Sequence, residues 1–454
     1  MNLSLGQIFI IQIIAIFASW LLFFRKGDLP LIIKVMVFVA YMTVPLGLFI
    51  KGFQSAIYVS DFVLPILVIL LVGKPKALGV FANGSFLMLF FLLVVLPISM
   101  GFLHLVMSGE AGLGARNFKG DFIWLYRNIT YLFIFGLGLL VNLTENQFRT
   151  FLKLNIGLAG VLAVMGLMNY FGPFNFSIVE DLMWKDWVHA SYSQNRIGLG
   201  FMGLFRGSVG QWFATIVVLV AGTYFYLFGL YRKLALVVMV FGIGMVLLSY
   251  SRAGIVGMSL GLVLLGLFGI GGRQRVLAFV GILVLFLWVG LQGDILTKRI
   301  DTIFDSDSAK TTRVDAWTRS ADFFSKEPQS FFVGVGPTNR ETVRKITGAY
   351  GAHNAYVDVI FRLGIFGLVS LLGFILILYR TLSKRMSGLD RRRKVVFKSA
   401  IIILAVNSVI GVTQDHLLHD YSSYTMGFYL YLLYGVFAGM RWTKEDQLNL
   451  SNSC

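Results

Sequence analysis

Apolar runs of membrane-spanning length recur along the whole chain, separated by short polar breaks. A bilayer core takes about 20 apolar residues as a helix. By that rule the pattern predicts spans at 5–24, 29–50, 57–73, 85–107, 122–142, 150–172, 208–230, 234–251, 254–271, 276–292, 355–379, 400–415 and 421–440. The total is about 12–13 spans, with the short ones open to a re-entrant reading. The pair 234–251 and 254–271 is joined only at "SYSRAG". Two stretches break the rhythm, 173–207 and 293–354. Within the second, Val314, Trp317, Ala321 and Phe324 recur at helical spacing and predict an amphipathic helix lying on a membrane surface. Pro328 follows, then the turn "GVGP" at 334–337. The expected fold is all-α, one polytopic membrane domain over 1–454, with 293–354 as a large extracytoplasmic loop carrying short helices.

Composition agrees: 57% of residues are hydrophobic and 13% charged, against about 25% charged in soluble domains. That excludes a soluble enzyme on a single anchor. The net charge of +17 would suggest nucleic acid in a soluble domain. Here the basic clusters flank spans, as the positive-inside rule requires, so nucleic acid is not an expected partner. The one cysteine, Cys454, allows no disulfide within the chain and no cysteine metal site. The run 5–24 has no basic region before it and reads as a first transmembrane helix rather than a signal peptide.

Charge also orients the spans. The loop "RTLSKRMSGLDRRRKVVFK" at 380–398 is expected on the cytoplasmic side. Counting back places Arg25, Lys26, Lys74, Lys76, Arg232, Lys233, Arg273 and Arg275 on that side too. The C-terminus falls inside, the N-terminus outside, and 173–207 and 293–354 outside.

Against that trend, Arg127, Arg196, Arg206, Arg252 and Arg313 gather at the outer side. Arginines there fit bidentate binding of phosphate oxygens, and at this depth a diphosphate on a membrane lipid is the natural anion. Ordinary solvated charge is the other reading of the set, and interfacial snorkelling the other reading of Arg252. The pair His353-Asn354 opens the span at 355. A neutral imidazole can take a proton from an attacking hydroxyl; a satisfied polar residue at a helix start is the plainer account. His104 and His189 are isolated, and His416 and His419 have no third ligand placed by sequence, so no metal site is expected.

The order Arg313-x-x-x-Trp317, Pro328, Gly334-x-Gly336, His353-Asn354, then Gly364 and Gly367, resembles the O-antigen ligase and polymerase superfamily. "SYSRAG" is similar to that family's Ser-x-Ser-Arg-x-Gly segment, and Asp61 to an aspartate of an early span. The likeness is anchored in 190–370. It implies a GT-C-like, metal-independent inverting glycosyltransferase that needs no cofactor and no nucleotide sugar. Its donor would be a glycan on undecaprenyl diphosphate, used on the outer side of the bacterial inner (cytoplasmic) membrane to build O-antigen, exopolysaccharide or capsule. The acceptor would be a second glycan or a glycolipid. Membrane lipid and other polysaccharide export proteins are further candidate partners. The family's arginines correspond to Arg252 and to Arg196 or Arg206, and its histidine to His353. The stretch "GLFRGSVGQW" departs from the family's Pro-Asn ending, which leaves Arg196 and Arg206 as alternatives. By the same likeness Asn354 orients the imidazole or caps the helix, and Arg313 binds glycan or diphosphate or fixes the outer helix. Polymerase is the favoured activity, ligase the alternative, and a lipid-linked glycan flippase the second alternative.

Overall fold

The computed structural model describes residues 29–41, 83–103, 118–171, 206–249, 251–268, 307–336, 354–412 and 424–442, with isolated positions at 14, 65, 69, 80, 281 and 346–347. Side chains of 118–123, 169, 206–207, 307–314 and 424–425 are not described. The described residues are helical without strands: α1 (Leu31–Tyr41), α2 (Gly84–Leu103), α3 (Phe118–Leu140), α4 (Glu145–Phe171), α5 (Arg206–Thr223), α6 (Gly229–Leu248), α7 (Arg252–Phe268), α8 (Asp307–Lys326), α9 (Pro328–Val333), α10 (Ala355–Arg385), α11 (Arg391–Gly411) and α12 (Tyr424–Gly439). Among these, α2, α4, α5 with its 3-10 extension to Tyr226, α6, α10 and α11 are long and apolar enough to cross a membrane. The chain is an all-α polytopic membrane protein. Of the expected spans 5–24, 57–73 and 276–292, only positions 14, 65, 69 and 281 are among the described residues.

Helix α5 is the hub, packed against α4, α6, α7 and α11. A second seam joins α3 to α12. Glycine sets its closeness: a Cβ on Gly138 would stand 2.7 Å from the Gly435 backbone. Small residues let membrane helices approach this closely, where dispersion rather than hydrophobic burial holds them.

Several helix limits differ from the apolar runs, and capping explains the difference. Helix α4 begins at Glu145 instead of 150 because Thr144 and Gln147 form a reciprocal capping box. The Thr144 N–H donates to Gln147 Oε1 at 3.0 Å, and the Gln147 N–H to Thr144 Oγ1 at 3.3 Å. Helix α11 begins at Arg391 instead of 400, capped by the Asp390 carboxylate, which accepts from Arg393 N–H. Helix α10 runs on to Arg385. The basic stretch 380–398 is thus mostly helix, with Arg380, Arg391 and Arg392 reaching toward water at the membrane edge and Arg393 buried.

The ends that charge counting assigns to one side do meet. Glu145 at the start of α4 accepts from Arg149 at 2.6 Å and from Arg393 of α11 at 3.0 Å. Trp442 Nε1, after α12, donates to Leu143 O, and Arg392 to Phe225 O after α5. Lys398 reaches Phe268 O at the end of α7, and Ser85 of α2 meets Thr381 of α10. These contacts define a basic end of the bundle and, by alternation, an opposite end.

Candidate functional site

At the opposite end the "SYSRAG" turn links α6 to α7. Ser249 Oγ donates to Val246 O and accepts from Ser251 N–H, and Ser251 Oγ accepts from Gly254 N–H at 3.2 Å. Ser251 thereby caps α7 and leaves Arg252 as its first helical residue, exposed. Helix α5 opens with Arg206, and its first turns lie against those of α7. A Cβ on Gly254 would stand 2.5 Å from Gly210 C and 3.0 Å from Gln211 N. Two helix N-termini, with their positive dipole ends, therefore lie side by side.

Helix α10 starts at the same end. Asn354 caps it, its Oδ1 accepting from Tyr356 N–H at 3.0 Å and Val357 N–H at 3.2 Å. Tyr356 Oη donates to Ser408 O of α11 at 2.8 Å. Helix α11 in turn sets Val406 and Ile410 against Gly257 of α7, and Asn407 against Thr215 of α5. Helices α5, α7, α10 and α11 thus converge here.

One turn below the cap, Asp358 and Arg362 form a buried ion pair, Nε to Oδ2 2.5 Å. Two residues further the helix breaks at Gly364, φ 67° and ψ −168°, a region essentially reserved for glycine. The break turns Phe361 O to accept from Val335 N–H at 2.6 Å. The 332–336 strap lies so close that Phe332 O occupies the place a Gly364 Cβ would take. A Cβ on Gly334, at φ 77°, would stand 2.7 Å from the Arg362 carbonyl. Pro328 sits in the first turn of α9, where its missing N–H costs nothing.

The amphipathic helix expected at 313–324 is present within α8, but its buried stripe differs. Ala316 and Ser320 are buried, Phe323 and Phe324 half-buried, Trp317 half-buried and Ala321 exposed; the Val314 side chain is not described. Phe324 meets Phe361 of α10 at 4.7 Å between ring centroids, and Phe323 at 6.2 Å. The ring pair, rather than the spacing of Val314 and Ala321, selects the face that docks. Gly367 faces Leu363 and Val359 of its own helix across the break.

The expected site residues divide as follows. Arg252 and Asn354 lie at the convergent ends. Arg206 opens α5, and Arg313 lies on α8, which reaches α10 through Phe323, Phe324 and α9. Arg127 is buried on α3, whose main neighbours are α12 and α2. It lies nine residues in from Phe118, or about 14 Å, deeper than the apolar run suggested. Arg196, His353, Asp61 and the other four histidines lie outside the described residues. The sequence reading missed the Asp358–Arg362 pair, although its i, i+4 spacing was a signal. It also missed Gln211, a lone amide in an apolar run.

These features define a class first: a polytopic helical membrane protein with an arginine-bearing convergence of helix starts at one end. Within that class, a family model described as O-antigen ligase matches residues 235–372. The match runs from α6 through "SYSRAG", α8, the glycine strap and the His353-Asn354 pair into α10. It shows the likeness to the O-antigen ligase and polymerase superfamily over that segment, and supports membrane glycan processing of that type. A comparison with curated proteins gave no match.

Proposed function

We propose that the chain is a glycosyltransferase that moves or polymerises glycan from undecaprenyl diphosphate at the extracytoplasmic face of the bacterial inner membrane. The observation that carries this reading is the contact of the first turns of α5 and α7, one opening with Arg206 and the other with exposed Arg252. Paired helix starts bearing guanidinium groups are suited to a diphosphate. Arg252, with Arg206 or Arg196, holds that diphosphate and offsets the negative charge that grows on it. His353 takes the proton of the acceptor hydroxyl, whose oxygen bonds to the anomeric carbon. The bond from that carbon to the diphosphate oxygen breaks, undecaprenyl diphosphate leaves with the electron pair, and the anomeric centre inverts. Asn354 fixes the start of α10, Arg313 guides the glycan from above, and Arg127 binds deeper in the bundle.

Polymerisation is the favoured activity. Ligation to lipid A core or another acceptor is the second reading, favoured by the description of the matching family. Guanidinium groups here do the work a divalent cation does in other glycosyltransferases. The reading predicts transfer that survives EDTA. It also predicts that Arg252→Ala and His353→Ala lose transfer by about a hundredfold or more while still inserting in the membrane. Full activity of both variants rules the mechanism out.

A further inference from the structure

Gln211 lies five residues into α5 and is wholly buried. Its carboxamide offers two N–H donors and an acceptor, yet neither Nε2 nor Oε1 has a hydrogen-bond partner. Thr215 and Thr223 on the same helix are satisfied, whereas the adjacent Trp212 Nε1, like the Gln211 carboxamide, has no partner. One turn along the same face, Thr215 Oγ1 meets Gln211 O at 3.2 Å and Asn407 Oδ1 at 3.4 Å, and Thr223 bonds Leu219 O. A buried amide left unpaired is less stable than an apolar side chain of the same shape, so its presence points to a use outside the fold. Its position says which. The Gln211 backbone touches the first turn of α7 at Gly254, two residues after exposed Arg252. Its side chain has three rotatable bonds and no hydrogen bond to hold it.

We propose that Gln211 is a donor-binding residue: its carboxamide grips the sugar adjacent to the diphosphate held at Arg252. The complement it requires is a paired donor and acceptor on that sugar, such as an acetamido group or two neighbouring hydroxyls. This rests on the glycan-transfer reading above and extends it to the sugar next to the phosphate. A diphosphate alone would use only the N–H donors and leave Oε1 unpaired.

The test uses the full chain in proteoliposomes, with lipid-linked glycan extracted from source cells lacking this chain as the probe. Wild type, Gln211→Met and Gln211→Glu are compared for transfer rate across donor concentration and for thermal midpoint. Methionine keeps the shape and removes the amide. The expected result is a Gln211→Met midpoint equal to or above wild type, with KM for the donor raised about tenfold or more. Gln211→Glu, which keeps an acceptor but loses both donors beside an anion, is expected to fall further. Wild-type kinetics in Gln211→Met overturn the inference. So does a lowered midpoint, since it means that the fold itself uses the carboxamide. Inactive wild type removes the glycan-transfer reading, and this inference with it; active wild type with an unaffected Gln211→Met removes this inference alone.

Discussion

Gly364→Ala tests how the α8–α9 layer is held on the bundle. The substitution keeps the apolar surface almost unchanged and adds a single methyl group. Gly364 has φ 67° and ψ −168°, where an L side chain costs about 1–3 kcal/mol. The new methyl also collides with Phe332 O, so the strap at 332–336 must lift. Lifting it breaks the Val335 N–H to Phe361 O hydrogen bond, worth about 0.5–1.5 kcal/mol. It also loosens Phe323 and Phe324 from Phe361, an aromatic contact worth about 1 kcal/mol beyond area. Together the loss is about 3–5 kcal/mol, confined to α8 and α9 because the bundle packs on other faces of α10. Hydrogen exchange by mass spectrometry on peptides covering 320–336 is the assay. Exchange there is expected to rise about a hundredfold or more, while α5 and α12 keep their protection. Unchanged exchange over 320–336 refutes the reasoning, because strain and collision cannot both be absorbed in place.

Other variants probe the remaining supports. Asn354→Ala should lower stability by about 1 kcal/mol, and Asn354→Ser should restore most of it, since a hydroxyl can accept from the same N–H groups; thermal unfolding in detergent reads both. Arg393→Ala leaves the Glu145 carboxylate at the basic end with Arg149 alone. That should cost about 3 kcal/mol, seen as a lowered midpoint with transfer per folded molecule unchanged. Gly254→Val places side-chain atoms against the Gly210 backbone and should cost about 1–3 kcal/mol by overpacking. Because it parts the first turns of α5 and α7, transfer should fall more than stability does.

Much of the fold was legible in the sequence because membrane spans obey a strong length and polarity rule. The alternation of basic loops predicted which helix ends lie together, and the Glu145–Arg393, Trp442–Leu143 and Ser85–Thr381 contacts agree with it. Limits set by capping were less legible: Thr144-x-x-Gln147 and Asp390 are short local signals lying outside the apolar windows. The Gly364 break was invisible to periodicity, since it depends on a strap distant in sequence. In the candidate site, "SYSRAG" and the Asn354 cap could be read directly. The contact of Gly210 with Gly254 could not, because two glycines in different helices carry no mark of their meeting. Gln211 was overlooked for a related reason, as an amide's lack of partners exists only in the packed bundle.

The most direct test of the central claim is transfer by the purified chain in proteoliposomes supplied with undecaprenyl-diphosphate-linked glycan, with and without a separate acceptor, with released undecaprenyl diphosphate measured alongside. Glycan of higher mass is expected, with one lipid diphosphate released per bond formed and a ladder from donor alone if the chain polymerises. A single shift that needs the second acceptor identifies ligation instead. If no transfer occurs while the lipid-linked glycan crosses the bilayer, the chain is no glycosyltransferase and moves its lipid without rebuilding it.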